Sequence, residues 1–293
     1  VRTYWLFRTR RGPPADLSSD GWAARRVGSY PETQRLSQVT ITTHRQNLVT
    51  PSPIFYGMVL ATVFLGTALA RGYRYDGVTL FLFVVTGWAV SLALHEFGHA
   101  IVAYKGGDRS VADKGYLTLD VRKYGDIKTS LLFPIFILII GGIGLPGGAV
   151  WINVGAIRSP VMRSLMSAAG PAASGLCALL CLLPVRLDLV QSEGLVIGLS
   201  FLGWIQIIAM IFNLLPIPGL DGFGIIEPHL SRQTLQSIQP LRQYGMIIIF
   251  IAIFFLPPAR DAFFGFTDSI VELVGGSEVF SARARGWFEF RFW

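Results

Sequence analysis

Residues 78–103 read VTLFLFVVTGWAVSLALHEFGHAIVA, an apolar run that carries His95, Glu96 and His99 in its second half. The run exceeds the ~20 mostly apolar residues that cross a bilayer as one helix. Ionisable groups at that depth are expensive, and three within five residues mark a functional site rather than packing. His95 and His99 stand four apart, so on a helix their imidazoles face the same way.

The rest of the chain agrees with a membrane setting. Of 293 residues, 52% are hydrophobic and only 15% are charged, against roughly 25% charged in a soluble domain. The mean hydropathy is +0.52. Further apolar runs lie at 54–70, 131–150, 165–185, 194–217 and 246–258. We expect an all-α polytopic membrane protein with about five transmembrane helices. Segment 105–128 is polar, and its part Tyr116–Val121 alternates weakly enough to suggest a short strand.

The run 131–150 stands apart, with Pro134, Gly141, Gly142, Gly144, Pro146, Gly147 and Gly148. Non-helical backbone survives at membrane depth only where protein or a wet cavity covers it. The expectation is a re-entrant hairpin, and the other reading is a broken crossing. Gly141 and Gly142 would let an extended substrate chain come close, as in strand addition.

The net charge is +7. No basic stripe with base-reading residues accompanies it, so no nucleic acid is expected as a partner. Residues 1–50 hold eight Arg, no Lys and three acidic residues. They read as a basic, disordered tail on the cytosolic side. Residues 51–260 form the membrane-embedded domain, and 261–293 an interfacial segment ending in the aromatic GWFEFRFW. Met246–Leu256 is short for a crossing, and Pro257 and Pro258 end it. Cys177 and Cys181 are expected to be free and packed as small hydrophobes.

His95-Glu96-Phe97-Gly98-His99 has the form H-E-x-x-H. Two imidazoles so placed can share one Zn²⁺, with the Glu acting as base toward a water that the metal acidifies. A catalytic zinc needs a third protein ligand. His44 and His229 lie in polar flanks, so a carboxylate is the better candidate. Asp221 follows a long apolar run in Asn213-Leu-Leu-Pro216-Ile-Pro218-Gly-Leu-Asp221-Gly222, where prolines end the helix and glycines permit close approach.

Taken together, HEFGH and the later N-x-x-P-x-x-x-L-D-G resemble the site-2 protease family. Gly170-Pro171-Ala172-Ala173-Ser174 resembles its G-P-x-x-N element, with Ser174 in place of the usual Asn. That departure bears on subgroup and local helix packing. The resemblance covers residues 78–225. It implies an intramembrane metalloendopeptidase with one Zn²⁺ per chain, held by His95, His99 and Asp221, with Glu96 as the catalytic base. It also implies that Asn213 helps hold the substrate; a helix–helix hydrogen bond is the plainer role for that side chain. The implied partners are a membrane-anchored protein substrate and the lipid bilayer. Nothing in the sequence speaks to oligomeric state. The expected location is a prokaryotic cell membrane, with the N-terminus and the site toward the cytosol.

Two other readings use the same residues. One is a membrane zincin of another family, its third ligand drawn from Glu227, Asp268, Glu272, Glu278 or Glu289. The other is a membrane adaptor that kept the fold and lost turnover. Depth separates the paths of the chain. If 131–150 crossed the membrane, 194–217 would deliver Asp221 to the side away from the histidines. If it dips and returns, 165–185 leaves again from the side where 78–103 ended, and Asp221 comes back to them.

Overall fold

The computed structural model describes residues 49–72, 77–125, 150–242 and 244–274. Nearly all of the basic tail, the glycine-rich run with Gly141 and Gly142, and the C-terminal aromatics lie outside the described residues. Among the described residues there are helices and turns and no strand.

Among the described residues nine helices follow one another. They are α1 Pro53–Ala70, α2 Gly77–Gly106, α3 Ser110–Asp113, α4 Pro160–Arg186, α5 Glu193–Leu214, α6 Asp221–Ile226, α7 Arg232–Ile238, α8 Gly245–Phe255 and α9 Pro257–Val274. Four of them, α1, α2, α4 and α5, are long and apolar enough to cross a membrane, and the α8–α9 pair makes up to five. Two starts are written in the sequence as Ser-Pro. Ser52 Oγ accepts from the Phe55 N–H at 3.2 Å, and Ser159 Oγ from the Met162 N–H at 3.3 Å, with Pro in the first turn of each helix. The hydroxyl satisfies an otherwise orphaned donor, and proline there gives up none that the helix uses.

The central helix is α2, packed against α1, α4 and α5. Its core neighbours include Phe83, Trp88, Leu182, Phe201, Trp204 and Ile205. Close approach of α2 and α4 depends on Gly98, where a Cβ would lie 2.7 Å from the Ala169 carbonyl oxygen.

The helix ends define one side of the bundle. The Ser52 N–H, before α1, donates to the Thr118 carbonyl, after α2, at 2.7 Å. Asp108 accepts from the Asn153 N–H at 2.7 Å, and Lys114 Nζ donates to the Trp151 carbonyl at 2.6 Å. A Cβ on Gly106, the last residue of α2, would touch Met162 in the first turn of α4. The start of α1, the end of α2 and the start of α4 therefore share a side, and α5 runs back toward it. Of the two paths weighed from sequence, this is the one in which Asp221 returns to the histidines.

One expectation needs correction. Tyr116–Val121 is not a strand. Tyr116–Thr118 and Val121–Lys123 are single helical turns, flanked by left-handed Gly115 (φ 73°) and Leu119 (φ 56°). Asp120 caps the second turn by accepting from the Arg122 N–H. The Arg122 guanidinium sits on that carboxyl at 3.0 and 2.8 Å and holds it below the ordinary carboxylate range. HEFGH lies inside α2, which runs on to Gly106. Helix α9 starts at Pro257 after a bend of 86° and runs unbroken through 260–261, with Thr267 and Val271 buried. Its Asp268 accepts from the Trp204 indole N–H at 3.0 Å, and Phe264 stacks on that indole. Cys177 and Cys181 are free, as expected.

Candidate active site

Spacing within α2 puts His95, Glu96 and His99 on its inner face, all buried. Asp221 comes from elsewhere. Pro216 and Pro218 force the chain out of helix at the end of α5, since the residue before a proline avoids helical geometry; Leu215 is extended (ψ 135°). Gly219 then takes φ 103°, a conformation that favours glycine. At Gly222 a Cβ would lie 2.1 Å from the Leu214 carbonyl oxygen, so the chain doubles back tightly over the helix it has left. That reversal carries Asp221 to the histidines.

The three side chains meet in a triangle. The two Nε2 atoms are 3.1 Å apart, and Asp221 Oδ2 lies 3.4 Å from His95 Nε2 and 3.3 Å from His99 Nε2. Zinc sits about 2.0–2.2 Å from imidazole nitrogen and carboxylate oxygen, and tetrahedral ligands are then about 3.3–3.5 Å apart. The triangle has that size. Among the described residues these are the three that could share a metal ion; Glu227, Asp268 and Glu272, the described alternatives for a third ligand, stand outside the group.

The imidazoles are oriented from behind. His99 Nδ1 lies 2.7 Å from the Met166 carbonyl oxygen, which only accepts, so Nδ1 carries the proton and Nε2 keeps its lone pair. His95 Nδ1 lies 3.0 Å from Ser174 Oγ, which can accept in the same way. Such partners fix tautomer and ring angle at metal sites. Gly170 supplies space. A Cβ there would lie 2.1 Å from His99 Nε2 and 2.6 Å from His95 Nε2, so glycine leaves the two nitrogens the room beside them that a shared metal needs. The residues present therefore fit a zinc ion.

Glu96 is 4% exposed, and its Oε2 accepts from the Val150 N–H at 3.2 Å. A cavity of about 360 Å³ opens beside it, lined by the triangle, Trp88, Gln206 and Asn213 among others. Asn213 lines the cavity. Its amide donates to the Ala209 carbonyl of its own helix at 3.0 Å, not across to another helix. Gly141 and Gly142 lie outside the described residues.

Over 259 residues the chain is 40% identical to Rip2 of Mycobacterium tuberculosis, a zinc metalloprotease by name; the match spans 86% of this chain and 97% of that one. The chain belongs to the site-2 protease family. Rip2 of Mycolicibacterium smegmatis is 42% identical over 224 residues, covering 74% of this chain and 84% of the relative. YwhC of Bacillus subtilis, also named a zinc metalloprotease, is 28% identical over 194 residues, covering 63% and 85%. No family model and no solved structure matches the chain.

For a site-2 protease the sequence signal lay in side chains that do chemistry. Three supports lie outside that signal. Gly170 shows in sequence only as a motif position, because its contribution is the absence of a Cβ. Ser174 reads in sequence as a packing variant, whereas its hydroxyl stands against His95. Met166 acts through a backbone carbonyl and leaves no mark in sequence.

Proposed function

We propose that this chain is a zinc-dependent intramembrane endopeptidase that hydrolyses peptide bonds in or near the transmembrane segments of membrane-anchored proteins. The observation that carries it is the His95–His99–Asp221 triangle of zinc-ligand size, buried within a bundle of membrane-length helices. The names of the relatives support the same chemistry.

A zinc ion held there by two Nε2 atoms and Oδ2 would supply a Lewis acid and an acidified water. The chain's own residues do the rest. Ser174 and Met166 keep both imidazoles in the ligating tautomer. The Val150 N–H fixes one oxygen of Glu96, leaving the other to take a proton from the attacking water and pass it to the leaving amine. The cavity gives the chain to be cut a place away from lipid, with Asn213 Oδ1 as an acceptor on its wall.

The site faces the cytosol of a prokaryotic cell membrane in this reading. The Arg-rich residues 1–50 support that orientation, since α1 starts on the side where α2 ends. They serve as a cytosolic tail to a membrane-embedded protease domain whose core is 78–225. The deciding experiment compares wild type with Glu96→Gln on a membrane-anchored reporter, with zinc measured in both. Zinc retained and cleavage lost is the expected outcome. Undiminished cleavage by Glu96→Gln refutes the assignment of the base.

A further inference from the structure

Among the polar side chains that line the cavity and that the chemistry above does not use, Gln206 stands out. It lies in the middle of α5, in the run WIQIIAMIFN, and is 2% exposed. Its Nε2 is shut from solvent and has no hydrogen-bond partner among the described residues. Buried amides in native proteins are nearly always paired, and an exception calls for an explanation. Gln206 lines the cavity that contains the metal triangle.

Two neighbours on that wall are partnered within their own helices. Ser91 Oγ donates to the Gly87 carbonyl at 3.0 Å, and Asn213 Nδ2 puts one of its two N–H groups on the Ala209 carbonyl at 3.0 Å. Asn213 keeps its Oδ1 acceptor and one N–H, whereas the whole NH₂ of Gln206 is unspent. The two residues are seven apart, two turns of one helix face, or about 10 Å along α5. Three residues of an extended chain span about the same length.

A substrate helix that unwinds in this cavity loses its internal hydrogen bonds where no bulk water replaces them. Its peptide groups then need a donor and an acceptor each. A primary amide offers both, and rotation about its last torsion turns either one toward the cavity. We propose that Gln206 binds the substrate backbone, pairing with a peptide group about three residues along the extended chain from the one at Asn213. This rests on the endopeptidase reading, and it makes Gln206 a substrate-binding residue rather than part of the metal chemistry.

The test uses the full chain in detergent with zinc bound, and a dye-labelled Leu/Ala-rich transmembrane peptide with a central Gly-Pro break. Its dissociation constant is measured by anisotropy in the Glu96→Gln background, so that nothing is cut. Gln206→Met keeps length and removes both polar atoms. We expect about threefold to tenfold weaker binding, unchanged zinc content, and a Tm no lower than the parent's, because an unpaired buried group has been removed. Gln206→Asn keeps the amide and should recover part of the affinity. Equal affinity for parent and Gln206→Met, including no saturable binding to either, overturns the proposal. So does Gln206→Asn binding no better than Gln206→Met, or a loss of zinc or Tm in Gln206→Met that marks a structural role. Cleavage by Glu96→Gln itself would instead sink the protease assignment, and the binding comparison does not depend on it.

Discussion

Replacing Gly170 with alanine should empty the metal site while leaving the fold nearly intact. The added Cβ would stand 2.1 Å from His99 Nε2, 2.5 Å from His99 Cε1 and 2.6 Å from His95 Nε2. Ordinary contact begins near 3.5 Å, so the shortfall against His99 is about 1.4 Å. A methyl this close to both Nε2 atoms must push the imidazoles apart or turn them, and either change spoils the spacing at which they can share an ion. The imidazoles cannot swing away freely, because Met166 and Ser174 hold their far nitrogens. Two terms set the stability change. Alanine in a helix interior gains about 1 kcal/mol over glycine, and overpacking costs about 1–3 kcal/mol. The net is a loss of about 0–2 kcal/mol, a few degrees in Tm for a chain of this size. The control is Gly175→Ala on the same helix, where the new Cβ would meet only the flexible sulfur of Met210 at 2.8 Å. Zinc per chain by mass spectrometry, Tm by scanning fluorimetry and reporter cleavage are read on all three proteins. Gly170→Ala should lack zinc and activity with a modest Tm change, and Gly175→Ala should keep both. A Gly170→Ala protein that carries one zinc and cleaves normally would refute the cradle geometry.

Other perturbations test the surroundings. Ser174→Ala removes the partner of His95 Nδ1 and should weaken zinc binding about 10- to 100-fold in a chelator competition; an unchanged affinity would mean the hydroxyl does not hold the ring. Asp221→Asn replaces the third ligand by a neutral amide and should abolish zinc retention after dialysis. Zinc and cleavage both kept would return the alternative of a ligand from another helix. For topology, single cysteines placed in 151–159, in a Cys177→Ala/Cys181→Ala background, should react with an impermeant maleimide only from the side that labels residues 49–52. Labelling from the opposite side would contradict the shared helix ends.

The parts of the site that could be read from sequence were those where chemistry and local geometry coincide. Two histidines four apart within an apolar run cost too much to be incidental, and Pro216, Pro218 and Gly222 declared a tight reversal around Asp221. Features whose cause is distant in the chain were not legible. Ser174 is 79 residues from His95, and only the packing of α4 on α2 brings them together. Left-handed Leu119 breaks what the side-chain alternation of 116–121 suggested, and nothing in leucine itself announces a positive φ. The contact of Asp268 with Trp204 is equally invisible in sequence, because it joins residues 64 apart through the packing of α9 on α5.

Depth explains why the breakers near Asp221 belong to the metal site as much as the ligands do. Measured from the shared side, His99 and His95 lie seven and eleven residues up α2 from Gly106, about 10 and 16 Å. Gly170 lies ten residues into α4 from Pro160, about 15 Å, at the same level. For Asp221 to reach that level, α5 must stop before it arrives at the surface, and it does so at Leu214. The turn 215–220 stays at that depth, and α6 then runs alongside α4 back toward the shared side until the Ile225 carbonyl accepts from Ser164 Oγ at 2.6 Å, four residues from the start of α4. One further turn of α5 would displace Asp221 by about 5 Å and open the triangle. Helix termination by Pro216 and Pro218 is thus a positional constraint on the third ligand. It also keeps the three ligands well inside the bundle, on the wall of the cavity between α2, α4 and α5.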